Sequence, residues 1–199
     1  MDVLIVAGFL GSGKTTLVLS VIGSLIERTN RKVVVIVNDF GTVGIDGSLM
    51  TKYGLEVMEL ASGCVCCTLG ADLLQTVKDI DEKLMPDMIV VEPTGVADPQ
   101  AIVKVLDHYK RSDPLHIRSA VVVDASRFDV ILKALGLPMT AQVKAADMIM
   151  LNKMDTVPEA ELKRMEAVLH TINANVPIIP ISAVQGTNVD RFVEAVTSR

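Results

Sequence analysis

Short, β-branched apolar runs alternate along this chain with longer stretches of helical periodicity. The runs at residues 3–6, 33–37, 55–60, 88–92, 117–123, 148–151 and 178–181 predict strands. Residues 14–28, 69–84, 99–108, 127–134, 159–171 and 189–197 predict helices between and after them. The longest apolar runs, such as Val3 to Ala7 and Val33 to Val37, are continuous, which suits strands buried in a parallel sheet. Strand–helix alternation of this kind predicts an α/β fold, a mostly parallel sheet with helices on both faces in three α/β/α layers. Ligands of such sheets bind at the carboxyl ends of the strands, so the residues just after each strand carry the functional expectation.

The segment after the first strand is Gly8-Phe9-Leu10-Gly11-Ser12-Gly13-Lys14-Thr15. It matches the phosphate-loop pattern G-x-x-x-x-G-K-[ST] and stands between a strand and a helix, as that pattern requires. Gly11 and Gly13 let the backbone curl until its N–H groups face a phosphate, and the helix N-terminus adds its dipole. Lys14 supplies a point charge to the β- and γ-phosphates, and the Thr15 hydroxyl can ligate Mg²⁺. Gly8, Ser12 and Thr16 fall in the same binding set. An ordinary Gly-rich turn from strand to helix would not require the Lys-Thr pair.

Three later strand ends add candidates. Asn152-Lys153-Met154-Asp155 matches N-K-x-D, in which the carboxylate accepts from guanine N1–H and N2–H₂. Adenine lacks that pair of donors, and lost polar pairing discriminates strongly between ligands. Ser182-Ala183 after the last strand belongs to the same base site. Glu92 ends an apolar run ahead of Pro93-Thr94-Gly95 and can hold Mg²⁺ or position the attacking water. The Gly95 N–H is placed to sense a γ-phosphate; the competing reading is a capping turn into Asp98-Pro99. Asp39, in Asn38-Asp39-Phe40-Gly41, is a second candidate for the Mg²⁺ shell, or else a turn residue.

The three cysteines, Cys64, Cys66 and Cys67, lie within four positions. That spacing suits metal or redox chemistry rather than a disulfide framework. In an extended segment Cys64 and Cys66 point to one side, and a turn could return Cys67 to them. Thiolates so spaced can share Zn²⁺, Co²⁺, Ni²⁺ or Cu⁺. A closed structural zinc site uses four ligands, so three thiols suggest an open site suited to exchange. Three small packed residues or a redox pair are the competing readings. The scattered His108, His116 and His170 read as surface or capping residues.

Composition bounds the rest. The 199 residues fit one domain. Half of them are hydrophobic, yet no run approaches the ~18 apolar residues of a membrane span. The N-terminus has no signal-peptide pattern, so a cytoplasmic protein is expected. A net charge of −5 and 3% aromatics give no basis for expecting a nucleic-acid partner.

Together these motifs resemble the CobW-type GTPases, a group that includes the GTPases maturing urease and nickel hydrogenase. The resemblance runs from Asp2 to about Asp190. It is carried by the phosphate loop through Thr16, by Val37-Asn38-Asp39-Phe40-Gly41, by Gly63-Cys64-Val65-Cys66-Cys67, by Glu92-Pro93-Thr94-Gly95-Val96-Ala97-Asp98-Pro99, and by Asn152-Lys153-Met154-Asp155. It implies a P-loop GTPase that drives metal insertion, with the loop after the second strand as a switch and the cysteines binding metal, Zn²⁺ or Co²⁺ first and Ni²⁺ as an alternative. The partners implied are guanine nucleotide, a client metalloenzyme or corrinoid protein, and a nucleotide- or metal-dependent homodimer. The alternative is a GTP-dependent regulatory switch for such a client. Many relatives have an acid where Thr42 stands, and many carry a C-terminal domain. Residues 1–199 are therefore expected to form one GTPase domain without that extension. No arginine stands in an obvious finger position, so slow intrinsic hydrolysis is expected.

Overall fold

The computed structural model describes residues 1–37, 55–59 and 69–198. Asp39, Cys64, Cys66 and Cys67 lie outside the described residues. Seven strands form one sheet in the order β3-β2-β4-β1-β5-β6-β7. They are β1 (Asp2–Ala7), β2 (Val33–Val37), β3 (Glu56–Glu59), β4 (Met88–Glu92), β5 (His116–Asp124), β6 (Met148–Asn152) and β7 (Ile178–Ile181). Every pairing between these neighbours is parallel. The helices are α1 (Lys14–Thr29), α2 (Leu69–Leu84), α3 (Pro99–Leu106), α4 (Phe128–Ala134), α5 (Gly136–Lys144), α6 (Glu159–Ile172) and α7 (Val189–Thr197).

The strand sequences explain their place. All five residues of β2, of β4 and of β6 are buried, because helices cover both faces. Successive side chains go to opposite faces. Val3, Ile5, Val34, Ile36, Ile89, Val91, Val121 and Leu151 pack with Leu73, Val77, Leu106, Met139 and Leu169 of the helices on one side. Leu4, Val6, Val35, Val90 and Met150 pack with Leu17, Val21 and Leu25 of α1 and Phe192 and Val193 of α7 on the other. Each such side chain is worth roughly 1.5–3 kcal/mol of burial, which makes the sheet a stiff platform. Pro180, which cannot donate to a ladder, sits in β7 at the sheet edge, where its missing N–H is tolerated.

Register sets the position of the functional residues. Val37 pairs with Glu92, Asp124 with Asn152, and Asn152 with Ile181. The carboxyl ends of β2, β4, β5, β6 and β7 therefore form one rim, and the β1–α1 turn crosses it.

Three features depart from the sequence expectation. The helix expected over residues 127–134 is present as α4, but Arg127 closes a preceding 3₁₀ turn, Ala125–Arg127, rather than opening the helix. Helix α5 was not expected at all: Gly136 and Pro138 open it, and its buried stripe is Met139, Gln142 and Val143. A polar residue in that stripe disguises the helical period. His116, just outside the strand expected at 117–123, is the first residue of β5.

Candidate nucleotide-binding site

The β1–α1 turn wraps the N-terminus of α1, whose first residues are Lys14 and Thr15. Gly13 caps that helix at φ +93°, a left-handed conformation that glycine adopts readily. A Cβ there would stand 2.4 Å from Asn152 Nδ2. Lys14 is 6% exposed, and its Nζ makes one long bond, 3.4 Å, to the Phe9 carbonyl. An ammonium carries three donors, so this buried charge is under-partnered among the described residues. Burial lowers its pKa, with the nearby Glu92 acting in the opposite direction. An anion in the cleft would supply what it lacks.

Glu92, at the tip of β4, faces Thr15. The Thr15 hydroxyl donates to Glu92 Oε1 at 2.6 Å, leaving the hydroxyl's lone pairs available to a cation. The other carboxyl oxygen, Oε2, is buried without a hydrogen-bond partner among the described residues. Burial raises the Glu92 pKa, while Thr15 and Lys14 pull it back. A buried carboxylate with one oxygen unsatisfied, beside a threonine hydroxyl, is a donor set that fits a hard divalent cation. Ser12 Oγ is a second buried polar atom of this region without a partner among the described residues.

The segment after Glu92 lies flush on the turn. A Cβ at Gly95 would meet Leu10 N at 2.5 Å, so only glycine permits the approach. Gln142 of α5 fixes this segment from behind, donating through Nε2 to the carbonyls of Ala97 at 2.9 Å and Gly95 at 3.3 Å. Asp98 then caps α3 by accepting from the Gln100 N–H. The capping role and the loop role therefore belong to different residues of the same segment.

At the other end, Asn152 bridges two loops. Its Nδ2 donates to the Ser12 carbonyl at 2.8 Å, and its Oδ1 accepts from the Ala183 N–H at 3.0 Å. Lys153 adopts φ +65° and sends Nζ to the Gly11 carbonyl at 2.8 Å. Ser182 closes a tight turn by exchanging two backbone bonds with Thr187. These residues border one cleft of about 720 Å³. Gly11, Gly13, Lys14, Thr15, Thr16, Glu92, Gly95, Asn152, Lys153, Asp155 and Ser182 line it. Gly8, Ser12 and Ala183 are packed behind that lining, and Ala183 spends its N–H on Asn152.

One functional residue was not anticipated. Asp124, at the tip of β5, has a fully buried side chain. It accepts from Ser126 N and Oγ, from Arg127 Nε at 2.7 Å and from Lys153 Nζ at 2.8 Å. Burial pushes its pKa up, but the bonds from Lys153, Ser126 and Arg127 outweigh that and hold it below the usual carboxylate range. An acid closing an apolar run is the signal that singled out Glu92, and the same signal marks Asp124.

Comparison with known proteins agrees with this geometry. The family model described as CobW/HypB/UreG, nucleotide-binding domain, matches residues 2–180. The zinc chaperone YeiR of Escherichia coli is 35% identical over 159 residues, which cover 79% of this chain and 48% of YeiR. The crystal structure of Zn(II)-bound YjiA GTPase from E. coli superposes with a TM-score of 0.67 at 29% identity, covering 91% of this chain and 57% of that one. The hydrogenase maturation factor HypB from Archaeoglobus fulgidus gives a TM-score of 0.69 at 19% identity, covering 98% and 88%, a likeness of fold. The chain spans about half the length of the curated relatives it matches. Among the described residues, no helix is long and apolar enough to cross a membrane.

Proposed function

We propose, on the premise that this chain belongs to the CobW/HypB/UreG family of nucleotide-binding domains, that it is a GTPase that uses nucleotide turnover to bind and deliver a transition metal. The observation that carries the nucleotide half is the convergence on one cleft of an under-partnered Lys14, a half-satisfied Glu92 and the Asn152–Asp155 motif. Lys14 binds the β- and γ-phosphates. The Gly11 and Gly13 amides and the α1 N-terminus bind the phosphate chain, helped by Thr16. Asp155 accepts from guanine N1–H and N2–H₂, and Ser182 borders the base.

Thr15 and Glu92 would hold Mg²⁺, with Asp39 as a further candidate. The ion neutralises charge on the phosphates. Glu92 or Asp39 orients a water toward the γ-phosphorus. The water's oxygen bonds to that phosphorus, the bond to the β–γ bridging oxygen breaks, and GDP, hydrogen phosphate and one proton from the water leave. The Gly95 N–H would respond to loss of the γ-phosphate, a reading supported by its place in the cleft lining.

The metal half rests on Cys64, Cys66 and Cys67 and on the zinc named in the relatives' descriptions. Zn²⁺ is the first candidate cargo, with Co²⁺ and Ni²⁺ also compatible with thiolate ligands. The client is a metalloprotein that receives the ion.

The test is direct. The parent protein binds and hydrolyses GTP with Mg²⁺, and Lys14→Ala abolishes hydrolysis and severely weakens binding. It also binds zinc, and Cys64→Ser with Cys66→Ser loses the zinc while keeping GTP. A Lys14→Ala protein that hydrolyses GTP at the parent rate, or a double cysteine variant that retains full zinc affinity, contradicts the reading.

A further inference from the structure

Three successive carbonyls of the phosphate turn are each taken by a side chain from the neighbouring strand ends. Leu10 O accepts from Arg127 Nη2 at 2.7 Å, Gly11 O from Lys153 Nζ at 2.8 Å, and Ser12 O from Asn152 Nδ2 at 2.8 Å. Asn152 and Lys153 belong to the base-recognition motif. Arg127 does not, and it stands outside the cleft lining, in the 3₁₀ turn after β5. The same buried Asp124 oxygen that holds Lys153 also holds its Nε.

The peptide plane gives this contact a consequence. The described chain has no cis peptide bonds, so the carbonyl and N–H of the Leu10–Gly11 peptide point in opposite directions. With the carbonyl turned to Arg127, the Gly11 N–H points to the opposite side of the turn, and Gly11 lines the cleft. A cation on a carbonyl oxygen polarises the amide and strengthens its N–H as a donor, and hydrogen bonds in series reinforce one another. In phosphoryl transfer, negative charge shifts onto the oxygens around the breaking bond, and preorganised donors aimed there are what lower the barrier.

We propose that Arg127, fixed by Asp124 against the Leu10 carbonyl, is a positioning residue for GTP hydrolysis that acts in cis through the Leu10–Gly11 peptide. It serves the transferred phosphoryl group without touching it. An arginine suits the role because its planar fork can hold Asp124 with one nitrogen and the carbonyl with another at the same time, which a lysine ammonium matches poorly. The role rests on the GTPase reading above, because the residue acts on that reaction.

The experiment compares the parent with Arg127→Met, Arg127→Lys and Asp124→Asn in single-turnover GTP hydrolysis and in equilibrium binding of GDP and a non-hydrolysable GTP analogue. Arg127→Met is expected to slow hydrolysis on the order of 10-fold, less than the 10²–10³-fold of losing a direct donor, with both affinities within about 3-fold of the parent. Arg127→Lys recovers part of the rate, and Asp124→Asn, which releases the guanidinium, lowers it as well. Guanidinium ion added to an Arg127→Gly protein raises its rate, since the parent side chain is half-exposed and leaves an open site. A parent that hydrolyses GTP alongside an Arg127→Met protein of equal rate overturns this role and leaves the GTPase reading standing. So does a variant whose rate, affinities and melting temperature all fall together. A parent that turns over no GTP removes the GTPase reading and this role with it.

Discussion

Thr15 and Glu92, 77 positions apart in sequence, meet at 2.6 Å across the floor of the cleft, with the second carboxyl oxygen of Glu92 buried beside them and unsatisfied among the described residues. The helix N-terminus supplies one residue and the tip of β4 the other, and parallel register fixes both. Glu92→Gln keeps the size of the side chain while removing its charge. It should leave Mg²⁺-free GDP binding within a few-fold of the parent. Hydrolysis should fall on the order of 10²-fold, and the gain in affinity that Mg²⁺ gives should shrink. Nucleotide titrations with and without Mg²⁺, paired with rate measurements, check both. Unchanged Mg²⁺ dependence would place the cation elsewhere.

Base choice rests on Asp155, which borders the cleft next to Lys153. GTP should bind tighter than ATP by on the order of 10²-fold or more. Asp155→Asn should move the preference toward xanthosine triphosphate, whose O2 accepts where guanine donates. Calorimetry with the three nucleotides decides, and equal GTP and ATP affinities in the parent would reject the assignment.

Asp124 gives a pH signature. Its pKa is lowered in the folded protein, so its stabilisation is fully present above the ordinary carboxylate range, near 4, and is lost as pH falls through the lowered value. Asp124→Asn should cost roughly 1–3 kcal/mol at pH 7, because its partners Arg127 and Lys153 are partly exposed and screened. That corresponds to about 2–4 °C in Tm per kcal/mol for a chain of this size. The gap between parent and variant should narrow on acidification below about pH 4. Melting curves from pH 7 to pH 3 measure it; a gap that widens with acid contradicts the assignment.

Gln142 tethers the segment carrying Gly95. Gln142→Met preserves most of the volume but strips donors from two carbonyls, at about 1–3 kcal/mol if they stay buried. Faster hydrogen exchange at residues 93–98 and slower hydrolysis, with GDP affinity nearly unchanged, are expected. Exchange mass spectrometry of GDP-bound parent and variant is the measurement, and identical exchange would show the tether to be idle.

The fold was legible because most strands are short, largely apolar runs, β1 and β2 the clearest, and the described site motifs follow such runs. Every strand appeared within about two residues of its expected bounds. Helix α5 was hidden because its inward stripe contains Gln142, and Gln142 is polar because it serves the Gly95 segment rather than the core. Asp124 closes an apolar run as Glu92 does, but no recognised motif surrounds it, and its meaning comes from the cations that reach it from Arg127 and Lys153. Nor could the sequence show that Asn152 and Lys153 grip the carbonyls of Ser12 and Gly11, contacts that span about 140 positions. Spacing places residues at strand tips, but side-chain reach across the rim appears only in three dimensions.

The proposed function requires the nucleotide cleft to be coupled to metal binding at Cys64, Cys66 and Cys67. Coupling between two ligands is reciprocal and is typically worth about 5–150-fold in affinity. A γ-phosphate with Mg²⁺ can order neighbouring segments through contacts that GDP lacks. The decisive measurement is a competition titration of Zn²⁺ or Co²⁺ against the protein without nucleotide, with GDP, and with a non-hydrolysable GTP analogue. Metal affinity at least 5-fold higher with the analogue than with GDP, and abolished by Cys64→Ser with Cys66→Ser, is the predicted result. Equal metal affinity in all three states would contradict it.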